Sequence, residues 1–284
     1  MVNALTVDVE DYFHVSAFEG CIRRAEWPQM PRRVRRNTEK IFEILSEFGL
    51  HATFFVLGVV AEEFPDLVRR MVEEGHEVAC HGYGHQRITS ITPEAFAEDI
   101  DRARKLLQDI SGQEVKGFRA PSYSITRQSL WALDLLIEAG FSYDSSIFPI
   151  HHDVYGIPDA PRHPHRIDRE GGAIWEFPPT TLPLGMMGMR VNVPVSGGGY
   201  LRLLPATCIS AAFRSLNRRG DACMLYFHPW EIDPGQPKIK APVKSRFRHY
   251  INLSRTEEKL RHLFKRHLFA PMGIVLEREV SAHA

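Results

Sequence analysis

Short apolar runs alternate along this chain with amphipathic stretches of helical period, and this alternation restricts the fold to the parallel α/β class. Seven of the runs are predicted to be strands, at residues 5–9, 52–57, 77–80, 115–118, 141–143, 173–177 and 222–227. Seven strands with intervening helices predict a distorted (β/α) barrel with about seven parallel strands. An open doubly wound sheet is the alternative.

Helix start and stop signals lie between these runs. They predict helices from Asn37 to Gly49, Pro65 to Gly75, Thr92 to Ile110, Arg127 to Ala139 and Ala206 to Arg218. The triplet Gly197-Gly198-Gly199 has no following Lys and Ser or Thr, so we interpret it as a flexible turn and not as a phosphate-binding loop. Residues 148–170 are rich in Pro and His and are predicted to form a long loop.

The composition excludes several classes of protein. Hydrophobic residues are 44% and charged residues 25%, as in ordinary globular proteins, and 284 residues suffice for one domain. Lys plus Arg equals Asp plus Glu, 35 against 35, so no overall field indicates nucleic-acid binding. The four cysteines form no Cys-x-x-Cys pair, which disfavours a thiolate metal cluster. We predict a single domain over residues 1–284 that ends in a basic extension at 236–284.

The N-terminal residues 1–8 lack a basic segment followed by a long apolar core, and therefore do not resemble a signal peptide. No apolar run approaches the length of a membrane span. The sequence predicts a cytoplasmic protein.

His81 and His85 are the strongest candidate metal ligands in the chain. A spacing of four residues on a helix or tight turn brings two imidazoles to the same side, where both can face one cation. The pair follows the predicted strand 77–80, and α/β barrels carry their chemistry at the carboxyl ends of strands. The chain has 14 histidines, so such a pair also arises by chance and needs support from other strand ends.

Polar side chains follow four other predicted strands, and a barrel would bring these ends together at one face. They are Asp8, Glu10 and Asp11 after the first strand, Arg119, Ser122 and Tyr123 after the fourth, Asp144 after the fifth and His228 after the seventh. Two histidines, several carboxylates, an arginine and a further histidine form a complete set for metal-assisted hydrolysis.

Each residue type suggests a role. A zinc-type site takes three protein ligands, which His81, His85 and one carboxylate from the first strand end would supply. A second carboxylate would accept the proton of the attacking water, with Arg119 paired to it. His228 would protonate the leaving nitrogen, and Asp144 would orient His228.

The substrate and its oxyanion are expected to meet the segment after the fourth strand. The metal and a backbone N–H near Ser122 could together hold the oxyanion, and Tyr123 lies beside it.

The ordered set of motifs resembles the polysaccharide deacetylase family, carbohydrate esterase family four. The motifs are Asp8-Val-Glu10, His81-x-x-x-His85, Arg119-Ala-Pro, Asp144-x-Ser-x-x-Pro149 and Leu225-x-x-His228. The strings Asp8-Val-Glu-Asp-Tyr-Phe, Phe118-Arg-Ala-Pro-Ser-Tyr-Ser and Phe227-His-Pro-Trp-Glu are similar to the branch that includes deacetylases of bacterial exopolysaccharide gene clusters. The resemblance implies a barrel missing one of eight strands, a divalent metal, usually zinc, and removal of N-acetyl groups from amino sugars.

The first motif departs from the common pattern of two adjacent acids. Its acids are separated by Val9, as in the branch resembling intracellular peptidoglycan deacetylases and metal-type allantoinases. By that analogy Asp8 is the base and Glu10 the metal ligand, with Asp11 a rival ligand. Ser122 stands where an aromatic residue is common, so the wall on the substrate side is expected to differ.

The sequence therefore predicts a metal-dependent hydrolase that removes N-acetyl groups from amino sugars of a polysaccharide or its lipid-linked precursor. One alternative is an allantoinase-like cyclic amide hydrolase, and another is a non-catalytic glycan-binding protein on the same fold.

The C-terminal segment is strongly basic. Residues 236–268 contain ten Lys or Arg against the two acids Glu257 and Glu258. The box Ser254-x-x-Glu257 predicts the start of an amphipathic helix whose inner side carries Leu260, Leu263, Phe264 and Leu268. We expect this helix to pack on the barrel with a solvated basic face. A second hypothesis is that the basic surface steers an anionic polymer or a lipid-linked substrate.

Overall fold

The computed structural model describes residues 1–186 and 189–283. The strands are β1 (Val2–Val9), β2 (Thr53–Val56), β3 (Glu77–Cys80), β4 (Gly117–Phe118), β5 (Tyr143–Asp144), β6 (His165–Arg169), β7 (Gly172–Glu176), β8 (Thr181–Met186), β9 (Met189–Pro194), β10 (Met224–Phe227) and β11 (Leu268–Ala270). The helices are α1 (Val34–Glu47), α2 (Gly58–Glu63), α3 (Pro65–Glu73), α4 (Pro93–Ser111), α5 (Ala132–Glu138), α6 (Gly198–Leu203), α7 (Ala206–Asn217), α8 (Val243–Tyr250), α9 (Leu253–Phe264) and α10 (Met272–His283).

The central sheet runs in the order β10-β1-β2-β3-β4-β5-β7-β6. Neighbours from β10 to β7 pair in parallel, and β6 adds an antiparallel edge on β7. All seven predicted strands are present, with shifted ends, and the predicted distorted barrel of about seven parallel strands is confirmed. Strands β8 and β9 form a separate antiparallel hairpin.

Side chains alternate between two apolar clusters along the strands, as the period of two requires. Leu5, Val7 and Phe54 face the helices that surround the sheet. Ala4 and Phe55 face the interior, together with Met272 at the start of α10. By the same alternation Thr6 and Asp8 share the inner face of β1, so the last inward position of the strand carries a carboxylate at the barrel mouth.

The gap between β7 and β10 is filled by chain segments on either side of the β8–β9 hairpin. Thr180 Oγ1 accepts a hydrogen bond from the Met224 N–H at 2.7 Å, and Ser196 O accepts one from the Tyr226 N–H at 2.9 Å. Gly197 forms a parallel bridge with Tyr226. A Cβ on Gly197 would lie 1.8 Å from the Tyr226 carbonyl oxygen and one on Gly198 2.7 Å from the Tyr226 hydroxyl, so these two glycines are sites of close packing and not the predicted flexible turn.

Some predicted helix starts were wrong. Helix α1 begins at Val34, and Asn37 is buried within it, donating to Asp233 at 3.1 Å. Helix α9 begins at Leu253 after Asn252, so Ser254 is not its cap. Leu268 lies in β11 and is 67% exposed, so it does not belong to the inner side of that helix.

None of the helices in the described part of the chain combines the length and the apolar character needed to cross a bilayer.

Candidate active site

The strand ends converge as expected, and a cleft of about 620 Å³ opens above them. Its floor contains Asp8 and Glu10 from the end of β1, His81 and His85 after β3, and His228 after β10. All but His228 are almost fully buried. Parallel strands explain the convergence, because their carboxyl ends lie at one face of the barrel.

Glu10, His81 and His85 form a group whose candidate ligand atoms all lie within 4.8 Å of one another. The His81 Nδ1–H donates to the Arg119 carbonyl at 2.8 Å, which leaves the lone pair of Nε2 for a cation. Burial lowers the pKa of His81 to about 4, so its imidazole is neutral at physiological pH. A neutral imidazole is the form that binds a metal.

The donor set fits a divalent metal. Glu10 Oε2 is buried and, among the described residues, has no donor in hydrogen-bonding geometry, although His85 Nε2 lies 2.7 Å away. Two such atoms that close together are placed as two ligands of one ion would be. Glu10 Oε1 accepts from the Trp230 Nε1–H at 3.1 Å, and this contact orients the carboxylate. Trp230 lies in the string Phe227-His-Pro-Trp-Glu, but its contact with Glu10 was not predicted.

Asp11 lies beside Glu10 in sequence but faces away from the histidines. Its Oδ2 accepts from the N–H groups of Arg33 and Val34 at 2.7 and 3.0 Å, and its Oδ1 accepts from the Tyr12 N–H at 2.9 Å. Asp11 therefore satisfies the open N–H groups at the start of α1. Burial raises the pKa of Asp11 to about 6, although these three hydrogen bonds lower it.

Asp8 is paired with Arg119, as predicted. The Nη1 group of Arg119 donates to Asp8 Oδ1 at 2.5 Å and to Thr6 Oγ1 at 2.9 Å, and the guanidinium lies 4.0 Å over the Phe55 ring. Burial lowers the pKa of Arg119, but the Asp8 carboxylate outweighs burial and raises it. The second Asp8 oxygen, Oδ2, faces His228 Nε2 at 3.7 Å across the cleft floor.

His228 faces the site through Nε2, which lies 3.6 Å from Glu10 Oε1. Its Nδ1–H donates to Glu231 Oε2 at 3.0 Å. Burial lowers the pKa of His228, but the nearby carboxylates of Glu10, Glu231 and Asp8 outweigh burial and raise it to about 9. The structure thus gives Glu231 the position beside His228 that the sequence interpretation assigned to Asp144.

Asp144 contacts a different set of groups. Its Oδ1 accepts from the Ser146 hydroxyl at 2.5 Å, and Asp144 lies beside Glu176, its partner in the parallel register at the end of β7. Burial raises the pKa of Asp144 to about 6 and raises that of Glu176 well above its usual value. The two buried acids lie side by side, so the pair is more stable when one of them holds a proton, and the predicted contact between Asp144 and His228 is replaced by this pair.

Ser122 and Tyr123 line the cleft in a strained turn, each with positive φ (57° and 53°). Such backbone angles in residues other than glycine cost about 1–3 kcal/mol and cluster at functional sites. The Tyr123 N–H donates to the Ala120 carbonyl at 3.0 Å. It is therefore not the free oxyanion donor, and the role of the Ser122 N–H stays a prediction.

Comparisons with known proteins agree with this architecture. The profile of the family described as polysaccharide deacetylase matches residues 27–141, and a domain of unknown function (DUF3473) matches residues 145–277. The chain is similar to a peptidoglycan-N-acetylglucosamine deacetylase of Bacillus cereus, 33% identical over 34% of this chain and 36% of that protein. It is also similar to a chitooligosaccharide deacetylase of Rhizobium leguminosarum bv. trifolii, 32% identical over 41% of this chain and 50% of that protein. The chain thus spans half or less of the length of these two relatives.

Two solved structures share the fold at low sequence identity. A protein from Mycobacterium smegmatis assigned as a polysaccharide deacetylase superposes with a TM-score of 0.65 at 19% identity, covering 99% of this chain and 91% of that one. Puue allantoinase superposes with a TM-score of 0.63 at 13% identity, with the same two coverages of 99% and 91%. The two solved structures show the shared fold, and the profile match over residues 27–141, with the motif order, assigns this part of the chain to the polysaccharide deacetylase family.

Proposed function

We propose that this protein is a metal-dependent hydrolase that removes N-acetyl groups from amino sugars of a polysaccharide or its lipid-linked precursor. The observation that carries the proposal is the group Glu10, His81 and His85 beside Asp8 and His228 on one cleft floor. Family membership and the names of the relatives support the amide-hydrolase chemistry.

Glu10, His81 and His85 would hold the divalent cation, which we propose is Zn²⁺, because two imidazoles and one carboxylate form a common catalytic zinc set. When bound, such a cation polarises the acetamide carbonyl and acidifies water. The Trp230 contact and the Arg119 carbonyl keep two of the ligands in place.

Asp8 is the proposed base. Arg119 holds its Oδ1, which leaves Oδ2 directed toward the cleft floor to accept the proton of the attacking water. Thr6 and Phe55 fix the guanidinium in turn, so the carboxylate has little freedom to move.

His228 is the proposed acid. Its Nε2 faces the cleft, and the Glu231 carboxylate, which accepts from Nδ1, favours the protonated imidazole. A protonated Nε2 can deliver its proton to the nitrogen of the departing amine, which leaves poorly as an anion.

The cleft, with a volume of about 620 Å³, has room for part of a glycan chain. Tyr123, Tyr155, Tyr226 and Trp230 line it, and aromatic rings of this kind pack against the apolar faces of sugars. We propose that the ring of the acetylated sugar lies against this aromatic wall with its acetamide group over the metal ligands.

Acetate release tests the proposal. We expect the zinc-loaded protein to release acetate from N-acetylglucosamine oligomers, to stop after chelation and to recover with added zinc. Glu10→Ala should abolish zinc binding in calorimetry, whereas Asp11→Ala should keep zinc binding and lose about 1–2 kcal/mol of stability as a helix cap is lost. Turnover in metal-free protein, opening of allantoin in place of acetate release, or sugar binding without turnover at every zinc concentration would each contradict the proposal.

Basic and aromatic side chains at the rim of the cleft support the proposal that the substrate is lipid-linked or otherwise anionic. Helix α8 places Lys244, Phe247 and Arg248 at this rim, and Phe247 is 62% exposed. Exposed aromatic and basic side chains together suit an anionic, partly apolar ligand. We expect the double variant Lys244→Glu, Arg248→Glu to raise KM for a polyprenyl-diphosphate-linked glycan. KM for a neutral oligomer should stay unchanged. Equal effects on the KM of both substrates would contradict the proposal.

We also propose that residues 1–284 act as one domain, with residues 236–284 as its basic extension, and that the substrate belongs to an exopolysaccharide pathway. The cytoplasmic location stays a prediction from the N-terminal sequence.

A further inference from the structure

Glu231 is the buried partner of the proposed acid, and both residues lie in the part of the chain that matches the domain of unknown function. It is fully buried, and its Oε2 accepts both the Nδ1–H of His228 at 3.0 Å and the backbone N–H of His228 at 2.9 Å. Its other oxygen, Oε1, accepts from Arg202 Nε at 2.6 Å. The carboxylate therefore has a separate partner for each oxygen.

We propose that Glu231 is the positioning residue for His228, and that Arg202 of α6 fixes Glu231 from behind. The inference rests on the proposed function, since it assigns how the acid of that reaction is oriented. Its consequence is that the C-terminal half of the chain, through α6 and α8, completes the active site and is not an appendage to the barrel.

Arg202 is itself buried and held on its far side. Its Nη1 donates to the carbonyl of Arg248 at 2.6 Å and to that of His249, at the end of α8, and its guanidinium lies 4.9 Å from the Trp230 ring. A guanidinium that spans a carboxylate and two carbonyls has few other positions open to it. Because Arg202 binds both α8 and Glu231, the position of α8 constrains the position of the Glu231 carboxylate.

Two features of the sequence bring α6 to this place. Gly197 and Gly198 allow the start of α6 to approach Tyr226 of β10, where a Cβ on either glycine would come within 2.7 Å of an oxygen atom. At the other end, Lys259 of α9 donates to the carbonyls of Leu201, Arg202 and Leu204 at 2.6–3.0 Å. The basic C-terminal segment therefore caps α6.

The chemical reason for this arrangement lies in the tautomer and orientation of His228. When the tetrahedral adduct collapses, the C–N bond breaks, its electron pair goes to nitrogen, and nitrogen takes the proton of His228 Nε2. This transfer requires Nδ1 to keep its own proton and Nε2 to point into the cleft. An acceptor on Nδ1 meets both requirements, and Glu231 is that acceptor.

The test compares two kinds of acetyl substrate in the zinc-loaded protein. Glu231→Gln replaces one carboxylate oxygen by an NH2 group, so that either the His228 donors or Arg202 Nε face a donor in place of an acceptor. We expect kcat on N-acetylated sugar oligomers to fall by about 10²-fold, with KM little changed. Hydrolysis of 4-nitrophenyl acetate should stay close to the wild-type rate, because 4-nitrophenolate departs without a proton. Arg202→Met should show the same selective loss, and Arg202→Lys a smaller one.

Asp233→Asn is the matched control. Asp233 is a buried carboxylate two residues from Glu231 and is bound by Arg33 and Asn37, so its substitution disturbs an equivalent ion pair without touching His228. We expect this variant to lose stability and to keep the amide-to-ester ratio of the wild type.

A spectroscopic readout completes the test independently of activity. In protein labelled with ¹⁵N-histidine, the Nδ1–H of His228 should give a downfield proton resonance that disappears in Glu231→Gln and persists in Asp233→Asn. Equal loss on amide and ester, no loss on either, or an unchanged resonance in Glu231→Gln would overturn the proposal. If the wild type releases no acetate from any N-acetylated sugar, the proposed function fails and the resonance alone decides the role of Glu231.

Discussion

Arg119 shows how a full charge is accommodated inside this barrel. Its nitrogen atoms donate to Asp8, Thr6 and the Ser145 carbonyl and hydroxyl, and none of its side chain is exposed. A buried guanidinium is tolerated only when its charge is paired and its hydrogen bonds are made. Asp8 therefore has two duties, since it neutralises Arg119 and presents its second oxygen to the cleft.

These two roles of Asp8 predict how Asp8→Asn changes turnover, zinc affinity and stability. We expect kcat for acetate release to fall by about 10²–10⁴-fold, because the base is gone. We also expect zinc affinity to persist, because Asp8 is not in the ligand group. Calorimetric zinc titration and acetate assays on the same preparation check both parts.

Stability is the control for that variant. Loss of one partner of a buried ion pair costs about 3–5 kcal/mol, so thermal unfolding must be measured first and assays run well below the midpoint. Turnover within a factor of ten of the wild type, in folded protein, would rule out Asp8 as the base.

At the scale of elements, the approach of α6 to β10 closes the barrel where β7 and β10 do not pair. Gly197 sits in the bridge to Tyr226, and Gly198 has a φ of 55° that favours glycine. Gly199 is different, because the nearest atom to a Cβ there would be Arg202 Nη2 at 3.9 Å. The three glycines are therefore not equivalent.

The contrast predicts that substitution by alanine has different effects on stability at Gly197 and at Gly199. Gly197→Ala forces a Cβ against the Tyr226 carbonyl and should lower the free energy of unfolding by about 1–3 kcal/mol or more. Gly199→Ala should leave stability unchanged or slightly raised, because alanine favours a helix. Urea unfolding of the two variants beside the wild type measures this difference, and equal effects would contradict the packing argument.

At the scale of the whole molecule, the adjacent carboxyl groups of Asp144 and Glu176 are expected to make the stability of the protein depend on pH. The pair joins the ends of β5 and β7 deep in the protein, and Glu176 Oε1 also accepts from the Ile147 N–H at 3.0 Å. Both pKa values are raised by burial. A raised carboxyl pKa adds stability that is complete below the unfolded-state value and is lost as the pH rises through the folded-state value.

The pair should therefore make the protein less stable as the pH rises from about 4 through the Asp144 pKa of about 6. Glu176→Gln keeps the shape and the donor to Asp144 while removing one titration, so the decline in unfolding free energy between pH 4.5 and pH 7.5 should become shallower. Urea unfolding across this range checks it. A decline as steep as in the wild type would show that the pair shares no proton.

Sequence patterns determined the parallel strands and most of the cleft floor. The apolar runs predicted all seven parallel strands, because a strand buried on both faces must be apolar over its own length. The strand ends predicted that Asp8, Glu10, His81, His85 and His228 would meet, because parallel strands carry their ends to one face. The domain boundaries and the roles of these residues stay predictions.

Only the tertiary structure decided which side chains are hydrogen-bond or ion-pair partners around the cleft. Asp11 and Glu10 are neighbours in sequence, yet one caps α1 and the other faces the histidines. Arg202 carries no sequence signal of its partner Glu231, and Asp144 lies beside Glu176 of another strand and not beside His228. Periodicity and capping depend on nearby residues, whereas the partner of a buried charge depends on how distant elements pack, and the sequence does not display that packing locally.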